Sequence, residues 1–237
     1  MTDDVLDGVT TVMFDFYGTV VDMQAGLTEA IRPYLAAKGS SLDPSRVVTW
    51  WRRTHFEASM IDALLHREHT PYRQIGCQAV DYTLERAGIP HAADEVAALV
   101  GAIERLRPFP DVVEALTAMK DHGLGLVILS NGDRDMLERG VAYSGTAELF
   151  DRVISVAEAG SFKPHVATYR TACELVGVRA EQVLFVANHA FDCVGAKAFG
   201  MRTAFVDRRR RPFGNATYPP DLVVADFREL AERLTGQ

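Results

Sequence analysis

From residue 112 onward the chain alternates helical patterns with short, almost unbroken apolar runs. That alternation restricts the fold more than any other feature. The runs Leu126-Val127-Ile128-Leu129-Ser130, Arg152-Val153-Ile154-Ser155, Gln182-Val183-Leu184-Phe185-Val186, Thr203-Ala204-Phe205-Val206 and Leu222-Val223-Val224 predict strands. Helical periodicity predicts helices at 112–122, 134–142, 164–176, 191–199 and 227–234, with Gly123, Gly177 and Gly200 as stops. Strands that are apolar on both faces need cover on both faces, which implies a parallel sheet between helical layers and an α/β fold. One further run, residues 10–14, stands apart. Between it and the breaker cluster Pro108-Phe109-Pro110 only helical patterns occur, at 24–38, 44–65, 71–87 and 92–106. Pro44 suits a first helical turn after Asp43. The chain therefore reads as a sheet core interrupted after its first strand by a helical block.

Composition excludes several functions. Hydrophobic residues make up 48% and charged residues 24% of the 237, as in ordinary globular proteins. The net charge of −7, from 25 basic and 32 acidic residues, argues against nucleic acid as the main partner. Arg208-Arg209-Arg210-Arg211 is the strongest basic cluster, and beside Pro212-Phe213-Gly214 on an acidic chain it reads as a solvated loop. No apolar run is long enough to span a membrane. The start, Met1-Thr2-Asp3-Asp4, lacks the basic region of a secretory signal. Cys77, Cys173 and Cys193 are odd in number, widely spaced, and suit a reducing cytoplasm. His66 and His69 have helical spacing but no third ligand nearby.

The first strand carries the chemistry. Thr11-Val12-Met13-Phe14 ends in Asp15, followed by Phe16-Tyr17-Gly18-Thr19. A buried strand holds a carboxylate rigidly at its C-terminal end, where ligands bind in open α/β sheets. Such a carboxylate can act as a nucleophile. The string resembles the first motif of the haloacid dehalogenase-like hydrolase superfamily, apolar-apolar-Asp-x-Asp-x-Thr. Its phosphatases use the second Asp as general acid toward a leaving alcohol. Here that place is Tyr17, and a tyrosine of ordinary pKa, about 10, donates poorly at neutral pH. A halide leaves without a proton. Asp-x-Tyr-Gly-Thr is the form of the (S)-2-haloacid dehalogenase branch.

The remaining motifs occur in the family's order. Ser130-Asn131-Gly132 follows the next core strand and resembles the branch's Leu-Ser-Asn-Gly, which implies that Ser130 and Asn131 hold the substrate carboxylate. A hydroxyl and backbone N–H groups at such a turn suit an anion. A plainer role for Ser130 is to cap the helix that starts near Asp133. Lys163, before Pro164, matches the third motif, and an ammonium near Asp15 would keep it ionised. Tyr169 matches a tyrosine for which the resemblance implies substrate binding. The fourth motif is Val186-Ala187-Asn188-His189-Ala190-Phe191-Asp192. The family's phosphatases place Mg²⁺-binding acids here, and Asn188 replaces the first; a neutral amide is the weaker ligand. Asp192 is then free to orient or activate water. His189 stands where the branch often has an amide, and could donate to a carboxyl group or relay a proton. Trp50-Trp51-Arg52-Arg53 resembles the branch's lid Trp-Arg pair, so Arg52 receives the halide, with Arg53 as the alternative. A guanidinium stays charged when partly buried. Phe16, Tyr17, Trp51, Tyr72 and Phe109 supply apolar walls.

The resemblance covers nearly the whole chain. It implies an α/β, Rossmann-like doubly wound parallel sheet with an inserted helical cap domain. The core is residues 1–21 and 108–237, and the cap is 22–107. The implied activity is metal-independent hydrolysis of haloacetate or (S)-2-haloacids to 2-hydroxy acids through an aspartyl ester on Asp15, with Thr19 and Lys163 fixing the nucleophile. No cofactor and no metal are expected, the partner is a small halogenated carboxylic acid, and homodimers are common in the branch. Two alternatives stay open: a phosphatase of the same fold using Mg²⁺, and a non-catalytic member that binds a small acid.

Overall fold

Strand β1 (Thr11–Phe14) is buried along its whole length because it lies in the middle of the sheet. In the computed structural model, which describes residues 6–65, 68–214 and 217–236, six strands form one parallel sheet. The acidic N-terminal residues and His66 lie outside the described residues. The other strands are β2 (Gly125–Ser130), β3 (Arg152–Ser155), β4 (Val183–Ala187), β5 (Arg202–Val206) and β6 (Leu222–Val224). Their order is β3-β2-β1-β4-β5-β6. Thr11 pairs with Gly125 on one side and Val183 on the other. The chain thus builds outward from β1 to β3 and then crosses back to β4. A crevice opens outside the strand ends where the order reverses, between β1 and β4.

Helices surround this sheet. α5 (Val112–Asp121), α6 (Arg134–Tyr143), α7 (Val166–Val176), α8 (Ala190–Phe199) and α9 (Phe227–Thr235) alternate with the strands. α5 packs on α9, and α7 on α8. Gly177 and Gly200 end α7 and α8 in left-handed conformations, which a residue without Cβ adopts at no steric cost. The helix expected from Pro164 begins instead at Val166. His165 caps it, with Nδ1 accepting from Ala167 N at 3.2 Å.

Between β1 and α5 run α1 (Met23–Ala37), α2 (Pro44–Leu64), α3 (Tyr72–Arg86) and α4 (Ala93–Val100). Successive members pack on one another. Asp43 caps α2 by accepting from Ser45 N, and Pro44 opens it. α4 is shorter than the expected 92–106, since the chain tightens into a 3₁₀ turn at Gly101–Glu104. α1 approaches the residues beyond that turn so closely that a Cβ on Gly26 would stand 2.6 Å from Leu106 Cδ2. The chain leaves and re-enters the core through paired backbones: Asp22 N donates to Arg107 O at 2.9 Å, and Phe109 N to Val20 O at 3.1 Å. No helix among the described residues is long and apolar enough to cross a membrane.

Candidate active site

Asp15 follows β1 directly, and its N–H donates to Val186 O of β4 at 3.0 Å. The sheet therefore fixes its backbone on the side where the crevice opens. Phe16 O then accepts from the N–H groups of Thr19, Val20 and Val21, closing a tight turn. Gly18 sits in it at φ +89°, and a Cβ there would be 3.0 Å from His189 Cε1 and 3.3 Å from Arg52 Nη2. The backbone conformation favours glycine, and the space beside it is tight. The turn returns Thr19 to the carboxylate, and its Oγ1 donates to Asp15 Oδ2 at 2.8 Å. That hydroxyl also accepts from Asn188 N at 2.9 Å.

A buried cluster of charge surrounds the carboxylate. Lys163 Nζ donates to Asp15 Oδ1 at 3.0 Å, Asp192 Oδ2 at 2.6 Å and Leu129 O at 2.9 Å. All three of its protons have acceptors, which offsets burial of the ammonium. Burial alone would raise the Asp15 carboxyl; Lys163, then His189 and Thr19, hold it well below the usual carboxylate range. Burial would lower Lys163, but Asp15 and Asp192 raise it. Asp192 is pushed up by burial and by the like charge of Asp15, with Lys163 and Tyr169 opposing. The result is an ionised Asp15 beside an ammonium that stays charged.

A cavity of about 650 Å³ opens over Asp15, between the strand ends and the α1–α3 block. Ser130, Asn131, Lys163, Asn188, His189, Tyr17 and Arg52 all line it, as do Arg53, Tyr72 and Phe109. Ser130 Oγ lies 3.5 Å from Asp15 Oδ1. It does not cap α6, whose N-cap is Asp133. Asn131 Oδ1 accepts from Lys163 N at 3.0 Å, which leaves its NH₂ as donor. His189 Nδ1 is 3.3 Å from Asp15 Oδ2. Arg52 Nη1 donates to Gln24 Oε1 at 2.9 Å. Burial, then the charge of Arg209, push this guanidinium down to about 10, so it is still a cation at neutral pH. Burial holds the Tyr17 hydroxyl well above 10, and it has no hydrogen-bond partner.

Four expected positions are corrected. Tyr169, expected at the substrate, is fully buried behind Asp192, where its hydroxyl donates to Asp192 Oδ1 at 2.8 Å. Asp192, expected beside water, is 0% exposed with both oxygens engaged by Lys163 and Tyr169. Phe16 points away from the cavity and packs on α6, where a Cβ on Gly140 would be 2.9 Å from its Cε1. Trp51 is buried in the core, one position around α2 from Arg52. Phe16 and Trp51 face away from the cavity, whereas Asp192 and Tyr169 stand behind Lys163.

One residue of the arginine run is a further correction, while Arg209, Arg210 and Arg211 are exposed as expected. Arg208 is not solvated: Nη1 donates to both oxygens of Asp111 at 2.8 and 2.9 Å, and Nε to Thr19 O at 3.1 Å. Its guanidinium lies 4.0 Å over the Phe109 ring. Arg208, Arg209 and Arg211 line the cavity. Ser45, Thr49, Phe56 and Ser59, not expected at the site, also line it from α2. Their signal was present: with Arg52 they are spaced 4-3-4-3, one helical face. His69 packs against Phe162 with ring centroids 4.5 Å apart. The described residues hold no group of three metal-ligating side chains.

Residues 9–200 match the family description of the haloacid dehalogenase-like hydrolases. The chain belongs to that family. It is 31% identical to (S)-2-haloacid dehalogenase 1 of Pseudomonas sp. (strain CBS-3), over 97% of this chain and 98% of that one. It is 29% identical to haloacetate dehalogenase H-2 of Moraxella sp. (strain B), over 91% and 93%. Its fold superposes on the L-2-haloacid dehalogenase of Xanthobacter autotrophicus with chloropropionic acid covalently bound, at a TM-score of 0.85 and 31% identity, over 97% and 99%. In this haloacid dehalogenase-like hydrolase the residues do not fit the Mg²⁺ of the family's phosphatases. The place of one metal-binding acid is taken by the neutral amide of Asn188, whose Nδ2 donates to Gly18 O at 3.0 Å.

Proposed function

We propose that the protein hydrolyses the carbon–halogen bond of short 2-haloalkanoic acids, haloacetate or (S)-2-haloacids, without a metal ion. The observation that carries the reading is Tyr17, whose hydroxyl stays protonated where the family's phosphatases have a general acid, beside the neutral Asn188 amide in place of a metal-binding acid. That site suits a leaving group that takes no proton. The names of the relatives, (S)-2-haloacid and haloacetate dehalogenases, support the same chemistry.

Ser130 and the Asn131 amide hold the substrate carboxylate. A carboxylate oxygen of Asp15 attacks the halogen-bearing carbon in line, the C–halogen bond breaks, and its electron pair leaves on the halide toward Arg52. Configuration inverts. Forming the ester removes the charge of Asp15, and Lys163 remains to stabilise the oxyanion formed when water attacks the ester carbonyl. The ester opens to a 2-hydroxy acid, and a proton is released. Asp192, enclosed, serves to hold Lys163; His189, on the cavity wall, is the group placed to take the proton from water. Residues 22–107 act as a cap that brings Arg52 over the core, 1–21 and 108–237. Three free cysteines suit the cytoplasm.

Single-turnover hydrolysis of (S)-2-chloropropionate in H₂¹⁸O tests this. Label is expected in Asp15 rather than in the first product, with halide release unchanged by EDTA. Label in the first lactate formed, or turnover only of p-nitrophenyl phosphate with Mg²⁺, overturns it.

A further inference from the structure

The cavity has room and positive charge beyond what a two- or three-carbon acid uses. Its volume of about 650 Å³ would hold roughly twenty waters at about 30 Å³ each. Arg52 and the Asp15 cluster occupy its floor. At the exposed mouth stand Arg53, Arg209 and Arg211, none of which makes an ion pair among the described residues. Arg208 also lines the cavity, and its buried Nη2 has no hydrogen-bond partner. The acid among them is Asp22.

The fold builds this cluster deliberately. Arg208 is clamped by Asp111, Thr19 O and the Phe109 ring. Asp207 Oδ1 accepts from Arg211 N at 2.9 Å, and Asp207 O from Arg210 N at 3.2 Å. Arg210 takes a left-handed φ of +49°, a conformation unfavourable to a side-chain-bearing residue. The turn sends Arg210 away from the cavity and leaves Arg209 and Arg211 on its wall. Arg209 and Arg52 line the same cavity, and the charge of Arg209 lowers Arg52.

We propose that Arg209 and Arg211 form a second carboxylate subsite, making four- or five-carbon 2-halo dicarboxylic acids the preferred substrates. The first carboxylate lies at Ser130 and Asn131, the halogen at Arg52, and the distal carboxylate at the arginine pair. A guanidinium matches a carboxylate with paired donors. The reaction is the one above: the Asp15–carbon bond forms as the halide departs, water opens the ester, and the products are a 2-hydroxy dicarboxylate, halide and a proton. The inference rests on the dehalogenase reading.

The test compares (S)-2-chlorosuccinate with (S)-2-chlorobutanoate, which has the same carbon count and lacks the distal carboxylate. For the wild type, kcat/KM is expected to be at least tenfold higher on chlorosuccinate. In the Arg209→Gln/Arg211→Gln double variant that ratio is expected to fall at least tenfold. A wild type that prefers chlorobutanoate, or a ratio unchanged in the variant, overturns the subsite and leaves the dehalogenase reading standing. Halide released from neither acid overturns both.

Discussion

Tyr17 and Asn188 separate this site from that of a metal-dependent phosphatase, one by removing a general acid and the other by replacing a metal-binding carboxylate. The Lys163 ammonium is enclosed by three acceptors, a costly arrangement unless every proton is matched. Tyr17 stacks on Tyr72 with ring centroids 5.9 Å apart and leaves its hydroxyl without a partner. A buried unsatisfied hydroxyl costs about 1–3 kcal/mol. Tyr17→Phe is therefore expected to leave the melting temperature unchanged or raise it, with halide release within about threefold of wild type. A loss above a hundredfold in kcat with the fold intact would show that the hydroxyl acts on the substrate. At this scale much of the site was legible in the sequence. Asp15, Thr19, Ser130, Asn131, Lys163, Asn188 and His189 converge because each follows a strand end or a turn whose position the pattern predicts. Tyr169 and Asp192 were misassigned because burial depends on the neighbouring element: α7 lies against α8, so the two side chains meet each other instead of the cavity.

Between elements, the joint that sets the cavity's shape is Asp133. It stands at the N-terminus of α6, yet its carboxylate accepts from Tyr72 N at 2.8 Å and Arg73 N at 3.0 Å, capping α3. Pro71, at the N-cap of α3, provides no capping side chain. One residue of the β2–α6 loop thus ties the inserted helices to the core, and Tyr72 follows into the cavity wall. Loss of a capping carboxylate costs about 1–2 kcal/mol. Asp133→Ala is expected to lower the urea midpoint accordingly and to raise KM by several fold, while Asp133→Asn, which can still accept, recovers most of both. An alanine variant with an unchanged midpoint and KM would remove this joint from the account. The sequence placed Asp133 near the start of α6 without showing that it reaches α3. A long-range cap leaves no local pattern, whereas Asp43 before Pro44 could be read because the cap and helix are adjacent.

Across the whole molecule the charge is divided against itself. The net charge is −7, yet Arg52, Arg53, Arg208, Arg209 and Arg211 line one cavity. Alternating strands and helices revealed the sheet and the interruption, because burial on both faces demands a continuous apolar run. The arginine cluster escaped, because a run of four after a strand looks the same whether it enters solvent or turns back on the sheet edge. Its return depends on Asp111, 97 residues earlier in the chain. A cleft lined by one sign of charge focuses the field and raises the local concentration of an oppositely charged substrate. Screening changes that long-range part most, since the Debye length falls from about 30 Å at 0.01 M to about 8 Å at 0.15 M salt. For (S)-2-chloropropionate, KM is expected to rise several fold over that range in a non-halide salt, while kcat holds. The contacts proposed for the substrate at Ser130, Asn131 and Arg52 would be short and screened little, so the chemical step should not notice. If KM stays flat, the rim arginines do not draw the substrate in; if kcat falls along with it, salt is acting on the reacting groups themselves.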